Sequence, residues 1–437
     1  MARPRTRALI AAAALAALPL SACSAGSLGS SSEEGVTAIT LLVGNAEENV
    51  LAAEAVAEAF EAENTDVDVT VETRPGGTEG DNLIKTRLAT GDMPEVFVYN
   101  SGSLLQALNP QQQLVDLSDQ EWVGNVDQAF LDAAGGEDGT YGAPFGAVQA
   151  GAVLYNKAVY EELGLEVPRT WDEFLANSRA ARDSGRAGII QTYGETWTSQ
   201  LFVLGDFHNV LAAEPDFPER YTANQVGYAT SPAALRGFEH QQEAFEEGLF
   251  NEDFPSALYP DGLALLAEGE GVHFPILTGV VSELAQSFPD AIDDIGVFGL
   301  PGDDAATNGI TVWTPDAAYI PATTEGAELD AAKRLVAFIA SPAGCDAQSE
   351  GSLPTGPYPV QGCELPEETP AAADDIQVYL DEERATPALE FLSPVKGPNL
   401  ENLTVEVGSG IRPADDAARL YDEDVAKQAQ QLGLEGW

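Results

Sequence analysis

The sequence is poor in positive charge. Lysine and arginine together number 20, against 71 aspartates and glutamates, for a formal net charge of −51 over 437 residues. That balance excludes a nucleic-acid-binding surface, which needs the opposite sign. Histidine is scarce: His208, His240 and His273 stand far apart and show no HExxH or other metal-ligand spacing. With no Cys-x-x-Cys pair either, neither a zinc site nor a redox couple has support. A GxxxxGK[ST] phosphate loop and a GxSxG nucleophile elbow are both missing. Acidic pieces such as Asp303-Asp304 lack the order of an EF-hand. No metal or cofactor is therefore expected. Beyond the first residues, no apolar run approaches the roughly 18 residues that a membrane helix needs.

The beginning of the chain carries a processing signal. Arg3, Arg5 and Arg7 form a basic n-region, and Ala8 to Leu18 an apolar h-region too short for a permanent anchor. Leu20-Ser21-Ala22-Cys23 resembles the bacterial lipobox, which implies cleavage before Cys23 and lipidation of its thiol; the alternative is an ordinary signal peptide with a chance cysteine. Residues 1–22 are read as the signal and 23–36, rich in Ser and Gly, as a flexible tether. The remaining chain, about 415 residues, exceeds what one core usually organises, so two lobes are expected. In an exported chain Cys345 and Cys363 are expected to form a disulfide, the alternative being two free thiols. The acids are spread along the whole sequence, as on a solvated surface suited to high salt or a charged envelope, although such a field could also steer a cationic ligand.

Ala38–Val43 reads as a buried strand, Glu47–Glu61 as a helix with Ala53, Val56, Ala57 and Phe60 on one face, Val67–Val71 as a second strand, Asp81–Ala89 as a helix and Val96–Tyr99 as a third strand. This alternation implies βαβ units and a parallel sheet. Ligands of such sheets sit beyond the carboxyl ends of the strands, which singles out Asn45 to Glu47, Gly76-Gly77, and Tyr99-Asn100-Ser101. The alternative for Tyr99 and Asn100 is a surface loop that merely caps the sheet. Ala152–Tyr155 is an apolar run long enough for a buried strand. Lys157–Leu163 reads as a helix stopped by Gly164, and Thr170 with Glu173 as a capping box opening another. Gly188–Gln191 is a short strand leading to Glu195 and Trp197. A ring beside a carboxylate suits a pyranose, whose apolar face stacks while its hydroxyls need fixed polar partners. Trp197 could equally be core beneath a following helix, and Trp313, in a β-like run over Gly309–Ile320, either faces a cleft or packs under the helix Leu329–Ala340. The final helix, opened by Pro413, carries a stripe of Ala414, Ala417, Ala418, Tyr421, Val425 and Ala429 and ends at Gly433.

Motif order is more specific than pattern. Leu88-Ala-Thr-Gly-Asp-Met-Pro-Glu-Val, then Tyr141-Gly-Ala-Pro, Leu154-Tyr-Asn-Lys, Thr170-Trp-Asp-Glu-Phe, Asp261–Gly269 with Gly271-Val-His-Phe-Pro-Ile, and Leu353-Pro-Thr together resemble extracellular solute-binding proteins of carbohydrate ABC transporters. Glu95 stands where that family more usually has Asp, and Gly279-Val280 where it often has Gly-Trp, so a stacking aromatic is missing there. The resemblance implies an α/β, two-lobed, periplasmic-binding-protein-like (Venus flytrap) fold whose hinge is crossed three times, near 144, 305 and 352. Lobe 1 would comprise 37–144 and 306–351, and lobe 2 145–305 and 352–437, with the disulfide bracing a crossing. It implies a carbohydrate ligand held by Asn45, Glu47, Tyr99, Asn100, Ser101, Gln149, Glu195, Trp197 and Trp313. It further implies no catalysis, delivery to ABC permease subunits with an ATPase, a monomer, and an extracytoplasmic position on a lipid anchor. Two rivals stand beside it: a same-fold binder of a polyamine, peptide or chelate, and a secreted glycoside hydrolase or lyase, which would need two carboxylates facing one another across a cleft.

Overall fold

The computed structural model of the protein describes residues 35–136 and 139–437. The signal, Cys23, nearly all of the tether and Asp138 lie outside the described residues. In chain order the strands of the two main sheets are β1 (Thr37–Gly44), β2 (Val67–Arg74), β3 (Val96–Tyr99), β4 (Gly142–Phe145), β5 (Gln149–Asn156), β6 (Ala187–Ile189), β7 (Gly271–Leu277), β8 (Ile295–Gly299), β9 (Ile310–Trp313), β10 (Asp316–Tyr319) and β11 (Ala385–Pro387). The first sheet runs β2-β1-β3-β10-β4. β1 pairs in parallel with β2 and β3, as the alternation with helices requires, but β10 enters antiparallel to both β3 and β4. The expected parallel sheet is therefore mixed, because its fourth strand arrives from the other sheet rather than through a βαβ crossover. The second sheet runs β11-β9-β5-β7-β6. One edge of β5 is shared, with β9 opposite Gln149–Gly151 and β8 opposite Ala152–Asn156.

The apolar run in β5 is buried on both faces. Ala150, Ala152 and Leu154 join one core with Phe274, Ile276 and Val297, while Val153 and Tyr155 join another with Trp171, Phe174 and Phe298. That two-sided burial is why the run shows no polar alternation. The helices follow their local signals. Lys157–Leu163 ends on Gly164 in the left-handed conformation, φ 66°. Trp171–Asp183 opens on the Thr170–Glu173 capping box. Ala414–Leu432 buries the predicted alanine-rich stripe against a helical core built from Val203, Phe238 and their neighbours.

The passages between sheets fall later than expected. The chain leaves the first sheet after Phe145 and enters the second at Gln149. It returns between Trp313 and Asp316 rather than near 305, because Ile310–Trp313 pairs with β5. Residues 352–363 also stay with the first sheet: Val360 bridges Val126 and is buried in the first core, and Cys363 packs against that core. The third passage then lies between Cys363 and Ala372, where the second core begins. The Cys345–Cys363 disulfide is present, with Cα atoms 5.9 Å apart, but it joins two segments of the first lobe and does not brace a crossing. Closing a loop of sequence separation 18 contributes about 3 kcal/mol through the entropy of the unfolded chain. Cys345→Ser is predicted to lower stability by about that amount, read as a reduced denaturant midpoint of the first lobe, and reducing agent should then have no further effect on the variant.

Candidate functional site

Two antiparallel ladders meet at the junction of the sheets. β4 pairs with β10, ending at Phe145 opposite Asp316, and β5 pairs with β9, beginning at Gln149 opposite Trp313. Between them lie only Gly146–Val148 on one side and Thr314-Pro315 on the other. The Ser101 hydroxyl lies 3.0 Å from that of Thr314 and donates to the Pro315 carbonyl at 3.1 Å, tying the exit of β3 to the junction. Beside this junction a cavity of about 990 Å³ opens between the lobes.

Of the residues singled out from sequence, Asn45, Glu47, Asn100, Ser101, Gln149, Glu195, Trp197 and Trp313 all line this cavity. Tyr99 does not: it is buried in the first core, with the Arg74 guanidinium 5.3 Å from the centre of its ring. Tyr99 is the last residue of β3 and Asn100 follows it directly; Tyr99 points into the core, and only Asn100 reaches the cleft. There the Asn100 amide donates to Asp316 at 3.2 Å. Trp313 lies over Gly151, where any Cβ would collide with the indole, and its Nε1–H donates to Glu390, which also accepts from Lys396 at 3.1 Å. Gly279 has the same character: a Cβ there would stand 2.6 Å from the Gln149 amide. Trp197 is partly buried; it packs against the second core and also lines the cavity.

Sequence reasoning missed Tyr259, Glu48, Glu283, Arg74, Asp316 and Glu390, all of them at the cavity. The Tyr259 ring centre lies 6.0 Å from that of Trp197, its N–H donates to Glu195 at 2.8 Å, and its hydroxyl donates to Glu283. Tyr259 thus brings a second ring to the cleft although Val280 stands where an aromatic was expected. Its signal was Pro260, a proline at the start of a helix. Arg74 ends β2 and was open to the same strand-exit rule that found Asn45 and Asn100. For Glu283 and Asp316 no sequence signal exists among 71 acids.

The cleft is acidic, and the pKa values of four of its carboxyls are raised. Burial, followed by the charges of Glu48 and Glu47, pushes Glu283 up to about 7. Burial raises Glu48 and also Glu195, the latter with help from Asp261. Asp316 is pushed up to about 6 by burial, with Arg74 opposing and Glu390 and Asp81 adding to the rise.

A two-lobed α/β fold with a ring-bearing cavity at its junction is the architecture of a solute-binding protein. The model of the family described as "Bacterial extracellular solute-binding protein" matches residues 45–344, and the chain belongs to that family. It is 24% identical to the Multiple sugar-binding protein of Streptococcus mutans over 64% of this chain and 66% of that one. It is 23% identical to the Melibiose/raffinose/stachyose-binding protein MelE of Bacillus subtilis over 69% of this chain and 70% of that one. Among solved structures, the SBP RafE in complex with raffinose superposes with a TM-score of 0.74 at 20% identity, over 90% of this chain and 100% of that one.

The pH dependence of Asp316 has a defined sign. Its folded value lies above the ordinary aspartate range, so its contribution to stability is complete below about pH 4 and is lost as pH rises through about 6. Asp316→Asn keeps an acceptor for Asn100 and is predicted to raise the melting temperature by a few degrees at neutral pH with little change at about pH 4, as measured by calorimetry across that range.

Proposed function

We propose that the protein captures a sugar or oligosaccharide between its lobes and delivers it to the permease subunits of an ABC importer powered by an ATPase. The observation that carries this reading is the pairing, in one interlobe cavity, of the Trp197 and Tyr259 rings with carboxyl and amide groups from both lobes. A flat ring stacks on the apolar face of a pyranose, and fixed acceptors and donors read its hydroxyls. The sugar-binding relatives support the same ligand class. Asn45, Glu47, Asn100, Ser101, Gln149, Glu195, Trp197 and Trp313 are the contacts we assign, with Tyr259 added and Tyr99 reassigned as support beneath Asn100. Such a ligand touches both lobes only when they close, and so biases a hinge equilibrium.

The protein needs no catalysis for this role. We further read the protein as an extracytoplasmic monomer tethered through a lipid on Cys23. The acid lining supports a cationic solute as the second reading, and the test includes it.

In a thermal-shift screen against oligosaccharides, polyols, amino acids and polyamines, an oligosaccharide is predicted to raise the melting temperature. Trp197→Ala and Trp313→Ala should each weaken that sugar by roughly 2 kcal/mol, or about thirtyfold in Kd. A shift with polyamines alone would overturn the sugar assignment and leave the binding-protein assignment standing.

A further inference from the structure

Two carboxyl groups, one from each lobe, face the cleft with no side-chain cation paired to either among the described residues. Glu48 lies in the first turn of the first-lobe helix Glu47–Glu63, and Glu283 in the first turn of the second-lobe helix Val281–Ser287. Both line the cleft, and each carboxyl is near enough to the other to act on its ionisation. Glu283 is only 7% exposed. Two further contacts between the lobes flank the pair. The Ser352 hydroxyl donates to that of Ser282 at 3.0 Å, and the Gln286 amide reaches the Gly351 carbonyl at 3.4 Å.

The charged groups that face the pair are acidic: Glu47 on the helix of Glu48, and Glu195 from the segment that packs on Tyr259. Among the described residues, no ion pair includes Glu47, Glu48, Glu195 or Glu283. The one hydroxyl proton of Tyr259 goes to Glu283, and its backbone N–H goes to Glu195. Glu48 Oε2 is buried with no donor in reach. Two carboxyls held close together with no side-chain cation paired to either are best accommodated with a proton between them; both ionised, they repel at close range.

We propose that Glu48 and Glu283 form a proton-dependent clasp, in which one shared proton holds the ligand-free lobes together and its loss parts them. In the open form both carboxyls face water and ionise in the ordinary carboxylate range. Closing therefore takes up a proton at pH values between that range and about 7, where burial and the neighbouring acids place Glu283 in the closed form. The coupling gives the protein a grip on its solute that tightens in acidic surroundings and relaxes as the pH rises. It depends on the two-lobed fold and is independent of which solute the cleft takes.

Small-angle X-ray scattering of the ligand-free protein at about pH 5.5 and about pH 8 tests the clasp on either side of that window. The wild-type radius of gyration is expected to be larger at the higher pH. Glu48→Gln supplies a permanent donor to Glu283, and Glu283→Gln one to Glu48, so each variant should stay compact at both pH values. Identical wild-type scattering at the two pH values would overturn the proposal. So would an expansion that persists in both variants, which would assign the effect to general repulsion within a chain of net charge −51.

Discussion

The structure depends on a pair of strand ladders that run end to end through the junction of the two lobes. Gly142–Phe145 lies against Asp316–Tyr319, and Gln149–Asn156 continues against Ile310–Trp313. Each pair belongs to a different sheet, and only Gly146–Val148 and Thr314-Pro315 separate them. Pro315 cannot donate to a ladder, so hydrogen bonding is interrupted where two rigid sheets must be allowed to move. Gly146, at φ 103°, adopts a conformation that side chains disfavour, and its N–H is held by Gln348 at 2.6 Å. Gln149 and Trp313 lie on the second-sheet side of this break and Asp316 on the first-sheet side. The disulfide lies within the first lobe, and the third passage follows it.

Around that junction the chemistry divides. On the second lobe, Trp197 and Tyr259 offer apolar faces, backed by Glu195 and Glu283. Near the hinge, Asn100 donates to Asp316, while Trp313 and Lys396 both donate to Glu390. At the far rim, the Thr78 hydroxyl donates to Glu401 at 2.6 Å, a further contact between the lobes. On the proposed function, the stacking surfaces would accept the ring of a sugar while the buried acceptors would penalise any ligand that leaves them unpaired.

Much of this was legible in the sequence, for reasons that differ by residue. Thr170 and Glu173 write a capping box, Gly164 and Gly433 are helix stops, and Ala414 to Ala429 repeat at helical spacing; each is a local rule obeyed locally. Asn45, Asn100 and Ser101 were found because a parallel strand aims its exit at the cleft. Tyr99 was over-read by the same rule, since a strand exit alone does not say which face a side chain takes. The run Gly309–Ile320 looked like one strand and is two, in different sheets; Pro315 was the overlooked signal. Cys345 and Cys363 were paired correctly but placed at a crossing, because which lobe a loop joins is decided by long-range burial of residues such as Val360. Glu283 and Asp316 lay beyond reach, since their importance comes from what surrounds them in space and acids are everywhere in this chain.

The most direct test of the account is a co-crystal structure with the oligosaccharide that stabilises the protein. The account predicts sugar between the lobes, stacked on the Trp197 and Tyr259 rings and in hydrogen-bond contact with residues of both lobes. Sugar bound outside the cleft, or touching one lobe alone, would contradict capture by closure.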